Sequence, residues 1–277
     1  MQLVKLPNKY SSWLVSETEL TPKSTKIIKV SKLLDKKFRR KTNSFLIEGE
    51  NALEACSRSG HLIELFCTKN YLTKNSKLDE ILESSHLKIN LINEKALIKI
   101  TETENPSGIV GVSKTVIQDF IKSDLSEKTF ILVLFGISDP GNLGTILRSA
   151  DAFGADLIIL VGNAVDILNG KVIRSSAGSI FNVEIRISDI NNLTKNFEGF
   201  KGSIYQTKAN AELKIENLDL KNPIVWIFGN EAHGLHDFPA NLGLNVSIPM
   251  RGKTESLNVS TAATLCMYET AKSRSIK

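Results

Sequence analysis

Cysteine is scarce in this sequence, which contains only Cys56, Cys67 and Cys266 and no CxxC pair. An odd number of scattered cysteines indicates neither a disulfide framework nor a thiolate metal site, so we expect buried, reduced thiols. Histidine is also rare: four residues occur, none in HExxH spacing, and only His233 and His236 lie close together. We therefore predict no metal site.

Long apolar runs and the common nucleotide-binding fingerprints are missing too. No window approaches 18 uninterrupted apolar residues, and residues 1–20 contain no apolar segment of the signal-peptide type. We therefore expect no membrane segment and a cytoplasmic protein. No GxGxxG follows an apolar run, no GxSxG occurs, and Ser247 stands where a Walker A motif ending in GKT needs its first glycine. These gaps argue against an ordinary Rossmann site, a P-loop and a hydrolase nucleophile elbow.

The length and composition of the chain are sufficient for two folded domains. The chain has 277 residues, of which 42% are hydrophobic and 23% charged, values that rule out wholesale disorder and fibrous repeats. A polar, charged stretch separates two series of strand-like segments. We predict an N-terminal extension (1–22), a first domain (23–115), a linker (116–129) and a second domain (130–277).

Strand-like and helix-like segments alternate from about residue 44 onward, which predicts an α/β fold. The predicted strands of the first domain are SFLIE (44–48), LIELFCT (62–68), KINLINE (88–94) and GIVGVSK (108–114), with helices NALEACSRS and KLDEILESS between them. Those of the second domain are FILVLFG, DLIILVG, FNVEIRI, SIYQT, PIVWIFG and NVSIP. Several of these are continuously apolar, as in a parallel sheet buried on both faces. A terminal helix is predicted for NVSTAATLCMYETAKSR.

The positive charge is concentrated at one end. Residues 1–41 hold eleven lysines and arginines against three acidic residues, a surplus larger than the net charge of +5 of the whole chain. Such a segment is either a solvated tail or a phosphate-binding surface. The run KKFRRK (36–41) favours phosphate contact and therefore a nucleic acid partner.

Three segments rich in glycine, asparagine and small polar residues follow apolar strands. They are DPGNLGTILRSADAFGAD (139–156), IFGNEAHGL (227–235) and SIPMRGKTESLNVSTAATLCMYE (247–269). Loops at the carboxyl ends of parallel strands are where ligands bind in α/β sheets, so we expect these three to converge on one site.

In order and spacing, the three segments resemble the three sequence motifs of the SpoU (TrmH-like) family of RNA 2′-O-ribose methyltransferases, in the SPOUT class. The similarity extends over nearly the whole chain except about the first twenty residues. NSFLIEGENALEAC and TENPSGIVGV resemble the family's N-terminal substrate-binding domain, which is similar to the ribosomal L30e fold, and KVIRSSAGSIFNVEI (171–185) resembles the segment between the first two motifs. The resemblance implies a deep trefoil knot in the C-terminal SPOUT domain, S-adenosylmethionine as the methyl donor and an obligate homodimer with sites at the subunit interface.

The resemblance also assigns a cofactor pocket to the second and third motifs. Gly229 allows close approach of the backbone to a flat ligand, although an ordinary strand-ending glycine is the alternative. Ser256 and Asn258 have a second reading as the N-cap of the terminal helix, which does not exclude ligand contact. The predicted cofactor-binding residues are Gly229, Ile248, Met250, Ser256, Leu257 and Asn258.

Four residues are the catalytic candidates: Arg148, Asn142, Glu231 and Asn258. Arg148 matches the catalytic arginine of the family's first motif, which acts across the dimer interface. Because a guanidinium is a poor base, we favour phosphate clamping and stabilisation of alkoxide charge, with proton abstraction left open. Asn142 would orient the loop or the ribose, or would cap a helix over residues 142–153 that ends at Gly154. Glu231 would hold Arg148 or the nucleotide, with a plain surface glutamate as the alternative.

The predicted function is transfer of a methyl group from S-adenosylmethionine to a ribose 2′-hydroxyl of RNA. An L30e-like domain suits structured ribosomal RNA, with transfer RNA as the alternative acceptor and a non-catalytic RNA-binding or ribosome assembly factor as the rival class. The predicted RNA contacts are Arg39, Arg40, Lys41, Lys171 and Arg174.

Overall fold

The computed structural model describes residues 18–74, 81, 87–115, 117–125 and 128–275. Most of the predicted extension and most of the predicted helix KLDEILESS lie outside these residues. The described residues form two compact units, the first within the ranges Met1–Val116 and Leu168–Phe181 and the second within Ile117–Ile167 and Asn182–Lys277. The domain limits expected from the sequence stay a prediction.

The first unit is a mixed sheet with short helices. Its described helices are α1 (Thr25–Ser31), α2 (Lys36–Thr42), α3 (Glu50–Arg58), α4 (Lys69–Lys74), α5 (Glu94–Lys99) and α7 (Gly170–Ser176). Its strands are β1 (Ser44–Glu48), β2 (Leu62–Thr68), β3 (Ile89–Ile92) and β4 (Ile109–Lys114). The order is β1-β4-β2-β3, in which β2 and β3 are parallel and β4 is antiparallel to both of its neighbours.

Within this unit the lysine-rich segment is folded. Ile27, Val30 and Leu33 recur at helical spacing, and all three are buried in the core. Burial of this apolar stripe holds α1 and the following turn against the sheet while their lysines face solvent. For residues 25–42, the solvated-tail alternative is therefore wrong.

Arg39 is the one cation of the KKFRRK run that turns inward. It is 5% exposed, and its Nη1 donates hydrogen bonds to the carbonyls of Leu33 and Leu34, both at 2.9 Å. The guanidinium thus holds the preceding turn, which corrects the prediction that Arg39 contacts RNA. Arg40 and Lys41 are exposed on the same helix.

Helix α7 carries the other two RNA-contact candidates. The Arg174 guanidinium lies 3.3 Å from Oε1 of Glu48, a carboxylate that is 7% exposed and also accepts from the backbone N–H of Glu102. Arg174 is therefore engaged in a partly buried ion pair within the first unit, whereas Lys171 is exposed.

The second unit contains a parallel sheet, as predicted. Its strands are β5 (Gln118–Asp119), β6 (Phe130–Phe135), β7 (Leu157–Val161), β8 (Glu184–Ser188), β9 (Ser203–Thr207), β10 (Leu213–Lys214), β11 (Ile224–Phe228) and β12 (Leu244–Ser247). Its described helices are α6 (Pro140–Phe153), α8 (Ile190–Phe197) and α9 (Val259–Ser275). The order is β10-β12-β9-β11-β6-β7-β8-β5, and every pairing is parallel. The α/β prediction with a parallel C-terminal sheet is confirmed, while the trefoil knot stays a prediction.

Helix α6 begins two residues earlier than predicted. Asp139 is the N-cap, since its carboxylate accepts from the backbone N–H of Asn142 at 2.8 Å, and Pro140 occupies the first helical position. Asn142 is consequently not the cap, and its side chain is available to other partners. The helix ends at Gly154, as predicted, with φ of 72°.

The three cysteines are buried thiols, and the described residues contain no helix that could span a membrane. Cys56, Cys67 and Cys266 are free and buried, and burial raises the pKa of the Cys56 and Cys67 thiols to about 12, so both stay protonated. Among the described residues, no helix combines the length and the apolar character needed to cross a bilayer.

A buried hydrogen bond fixes the C-terminal helix to the sheet. The Trp226 indole N–H donates to Thr270 Oγ1 at 3.0 Å, and both residues are fully buried. Near the end of the same helix, the Arg274 guanidinium donates to the carbonyls of Leu220, Thr129 and Asn222 at 2.8–3.0 Å. Helix α9 is thus tied to the sheet both at the centre of β11 and at the amino-terminal edge.

Replacing Thr270 with valine should lower the free energy of unfolding by about 1–3 kcal/mol, because the buried Trp226 N–H would lose its acceptor without a change in side-chain shape. Urea unfolding at neutral pH measures the effect. Thr261→Val, at an exposed position of the same helix, is the control and should change stability by less than about 0.5 kcal/mol. Equal losses in the two variants would argue against a specific role for this bond.

Candidate active site

The carboxyl ends of β9, β11 and β12 border a cavity of about 920 Å³, a size typical of small-molecule sites. The six residues predicted to bind a cofactor all line it: Gly229, Ile248, Met250, Ser256, Leu257 and Asn258. Leu235, Phe238 and Val259 add apolar surface. The second and third sequence motifs therefore converge on one cavity.

Gly229 is required by close packing of the loop itself. A Cβ at this position would lie 2.2 Å from the carbonyl carbon and oxygen of Gly234. The loop folds back because Asn230 and Gly234 exchange two backbone hydrogen bonds of 2.8 and 2.9 Å. Gly229 therefore ends the strand in a tight turn and also lines the cavity, while its contact with a flat ligand stays a prediction.

The Glu231 carboxylate joins this loop to the first motif. Its oxygens accept four hydrogen bonds of 3.0–3.2 Å, from the backbone N–H and hydroxyl of Ser138, the backbone N–H of Asp139 and the Asn142 side-chain amide. Partial burial raises the pKa of Glu231, but these hydrogen bonds outweigh it and hold the pKa below its usual range. Glu231 is therefore an ionised anchor for the start of α6.

Asn142 continues this connection to the third motif. Its Oδ1 accepts a hydrogen bond of 3.0 Å from Asn258 Nδ2. Asn258 Oδ1 in turn accepts from the Ser260 backbone N–H at 2.8 Å and so caps α9. The cap and site readings of Asn258 are compatible, and Glu231, Asn142 and Asn258 form one chain of hydrogen bonds across three loops.

Arg148 stands apart from this chain. It is exposed on α6, six residues beyond Asn142, which corresponds to about 9 Å along a helix axis. It is not among the residues that line the cavity, and within the described chain it makes no hydrogen bond or ion pair. The structure therefore brings together Asn142, Glu231 and Asn258 but leaves Arg148 outside.

Several residues at this site were missed from the sequence. Asn230 Nδ2 donates to the Gly136 carbonyl at 2.7 Å, and its Oδ1 accepts from the backbone N–H groups of Ala232 and His233. The side chain shapes the loop and ties it to the end of β6. Thr207, the last residue of β9, and Lys208, directly after it, form a further wall of the cavity. Their position at the carboxyl end of a predicted strand was the available signal.

The ionised Glu231 carboxylate should stabilise the protein only where it stays charged. Because its pKa is lowered in the folded protein, its contribution is complete above the ordinary carboxyl value of about 4.3 and is lost as the pH falls through the folded value. Urea unfolding should show a stability gap between wild type and Glu231→Gln at neutral pH that closes below about pH 4. Glu255→Gln, at an exposed loop position, should show no such gap; a gap for Glu231→Gln that persists in acid would contradict the assignment.

Two family models match the chain. The SpoU rRNA methylase family model matches residues 129–268, and the MRM3-like substrate binding domain model matches residues 24–111. The first match covers seven of the eight strands of the parallel sheet, the residues that line the cavity, the first two motifs and all but the last residue of the third. The second covers most of the first unit.

Individual relatives agree with both matches. The 23S rRNA (guanosine(2553)-2′-O)-methyltransferase RlmP of Bacillus subtilis is 30% identical over 89% of this chain and 96% of its own. The 23S rRNA (uridine(2479)-2′-O)-methyltransferase of Streptomyces viridochromogenes is 33% identical over 62% of this chain and 63% of its own. A crystal structure of an AdoMet-bound rRNA methyltransferase from Sinorhizobium meliloti superposes with a TM-score of 0.77 at 27% identity, covering 94% of this chain and 98% of its own. The resemblance seen in the three motifs is thereby confirmed, and the chain belongs to the SpoU rRNA methylase family.

Proposed function

We propose that this protein transfers the methyl group of S-adenosylmethionine to a ribose 2′-hydroxyl of ribosomal RNA. The observation that carries the proposal is the single cavity built by the second and third motifs and joined to the first by Glu231 and Asn142. The ribosomal acceptor is supported by the SpoU rRNA methylase match over residues 129–268 and by the 23S rRNA methyltransferase of Bacillus subtilis. Because ribosomal RNA is the acceptor, the expected location is the cytoplasm.

The cavity suits a nucleoside-containing sulfonium cofactor. Apolar side chains of Leu235, Ile248 and Leu257 offer surface for an adenine ring, and Gly229 brings backbone close to the same space. Gly229, Ile248, Met250, Ser256, Leu257 and Asn258 would hold the cofactor. When bound, S-adenosylmethionine supplies an electrophilic methyl group, and the ribose hydroxyl that accepts it must release its proton.

In this proposal, Glu231 does not accept the proton that the ribose 2′-hydroxyl releases. Its four hydrogen bonds use the acceptor positions of the carboxylate, and they favour its ionised form. Glu231 and Asn142 instead position the start of α6, while Asn258 fixes the entry of α9 beside the cavity. Lys208 lines the cavity, and Arg148 is the candidate for a second cation that stabilises the developing negative charge on the ribose oxygen.

A homodimer would supply Arg148 from the other subunit. The exposed surface of α6 and α9 carries Arg148 together with two large apolar residues, Leu265 at 38% and Tyr268 at 47% exposure. Ser149 and Thr264 share a hydrogen bond of 2.8 Å that holds the two helices in register. A second copy covering this face would bury the apolar side chains and bring an arginine to a cavity that has none among its described lining residues.

Mixing two inactive variants tests this arrangement. Arg148→Ala should abolish methyl transfer but leave S-adenosylmethionine affinity near wild type, because Arg148 lies outside the cavity. Gly229→Val should abolish cofactor binding. If Arg148 acts in trans, a re-equilibrated equal mixture should recover about a quarter of wild-type activity, since half of the dimers contain one intact composite site of two.

No recovery in the mixture, with dimers verified by analytical ultracentrifugation, would place Arg148 in cis. Unchanged turnover of Arg148→Ala would remove it from the mechanism. Arg148→Lys separates charge from guanidinium geometry, because it keeps the positive charge without the planar fork. Mapping 2′-O-methyl groups in ribosomal and transfer RNA from cells with and without the gene identifies the acceptor.

The N-terminal unit is proposed to contact RNA through exposed cations of α2 and α7. Replacing Arg40 and Lys41 together with glutamine should weaken RNA binding and make the plot of log K against log salt shallower by about 1.5, since each lost phosphate contact removes about 0.7 to 0.9. Fluorescence anisotropy with a ribosomal RNA transcript measures the slope. Deletion of the segment is unsuitable, because Ile27, Val30 and Leu33 belong to the core.

Lys201→Gln with Lys221→Gln, a pair of exposed lysines in the second unit, is the matched control and should leave the slope unchanged. Arg39→Gln should reduce thermal stability because it removes the bonds to Leu33 and Leu34. An unchanged slope for the α2 variant would exclude these two cations from the RNA contact.

A further inference from the structure

A second cavity adjoins the cofactor cavity in the second unit. It has a volume of about 640 Å³ and is lined by Lys208, Asn210, Ala211, Glu212, Leu213, Leu244 and Asn245. Lys208 and Asn245 line both cavities, so the two spaces share a wall. None of the motif residues discussed above belongs to this second cavity.

The walls of the second cavity are held in place by strand pairing and by a buried hydroxyl. Leu213 pairs with Val246 in the parallel register of β10 and β12. Ser247, which is 8% exposed, donates its hydroxyl to the Ala211 carbonyl at 2.7 Å. The turn over residues 208–212 is therefore fixed against β12 in the unliganded protein, as a preorganised site requires.

The side chains presented to this space combine apolar and hydrogen-bonding surface. Leu244 is 63% exposed and lines this space, so its apolar side chain is accessible to a ligand there. The amides of Asn210 and Asn245 offer donors and acceptors, Glu212 offers acceptors, and Lys208 carries the positive charge at the shared wall. An apolar contact, amide groups and one cation are what a nucleobase with its phosphate requires.

We propose that the second cavity is a subsite for a nucleotide of the RNA that lies next to the methylated one. This inference rests on the proposed function. Lys208 contacts the phosphate at the wall shared with the cofactor cavity, Leu244 packs against the base or sugar, and Asn210 and Asn245 read the base edge. The rival occupant, the amino-acid tail of the cofactor, is a small zwitterion that needs no exposed leucine.

A titration with single nucleotides tests the site directly. The full-length protein, saturated with S-adenosylhomocysteine to block the cofactor cavity, is labelled at leucine methyl groups and titrated separately with AMP, GMP, CMP and UMP. At least one nucleotide should shift the Leu244 resonances, assigned by their loss in Leu244→Ser. No shift with any of the four would overturn the proposal.

Two variants then separate the expected contacts in RNA binding. Leu244→Ser should raise the Kd for a ribosomal RNA transcript about fivefold with an unchanged salt slope, because the lost contact is apolar. Lys208→Gln should make the slope shallower by about 0.7. Ile121→Ser, at a 56% exposed site of the second unit outside both cavities, is the matched control and should leave RNA binding unchanged.

Cofactor titrations distinguish failure of the inference from failure of the proposed function. If Leu244→Ser weakens binding of S-adenosylmethionine but not of 5′-methylthioadenosine, which lacks the amino acid, the cavity belongs to the cofactor tail and the nucleotide subsite is excluded. If both ligands bind normally and RNA affinity is also unchanged, the inference fails while the methyltransferase proposal stands. Absence of cofactor binding by the wild-type protein would instead refute the proposed function.

Discussion

The ionised carboxylate of Glu231 is the interaction on which the geometry of the active site depends. It accepts hydrogen bonds from Ser138, Asp139 and Asn142, which lie about 90 residues earlier in the chain. Through Asn142 the connection reaches Asn258, which begins the C-terminal helix. Loops that leave three different strands are thereby fixed to one another by polar side chains, and this network supports the shape of the cavity that the second and third motifs line.

Many polar residues surround a cavity whose lining is partly apolar, because the polar side chains hold the loops together while the apolar ones offer surface to a ligand. Asn230 and Glu231 border the cavity, but their side chains are hydrogen-bonded to the loop that follows β6, and these bonds shape the backbone. Gly229 and Leu235 from the same loop face the cavity. One short segment thus supplies both the support and the binding surface, and a substitution in it is expected to affect both.

Strand positions and the convergence of the motifs could be predicted because local patterns determine them. Continuous apolar runs marked β6, β7 and β11, and glycine-rich loops marked their carboxyl ends. The start of α6 was misplaced because Asn142 competes with Asp139 as a capping residue, although Pro140 after Asp139 was the better signal. The partners of Glu231 could not be predicted, since hydrogen bonds across 90 residues leave no trace in local sequence.

The high density of positive charge in residues 25–42 did not predict how this segment folds. The lysine-rich segment left a solvated tail open as the alternative to a phosphate-binding surface, although Ile27, Val30 and Leu33 show helical spacing. Among neighbouring cations, nothing in the sequence distinguishes Arg39, which donates to backbone carbonyls in the interior, from exposed Arg40. Only the packed structure shows that the flat, multivalent guanidinium was suited to satisfying two carbonyls at once.

The path of the chain also has a consequence for biosynthesis. Leu168–Phe181 leaves the C-terminal half of the sequence to pack with the first unit, where Phe181 stacks on Phe45 at 6.2 Å and Gly178 fits closely over the Asn51 carbonyl. The N-terminal unit therefore remains incomplete until the ribosome has synthesised the 65 residues from Ile117 to Phe181 and these have emerged from the exit tunnel. Its hydrophobic face stays open during that interval, so the nascent chain cannot mature one domain after the other, in strict order of translation.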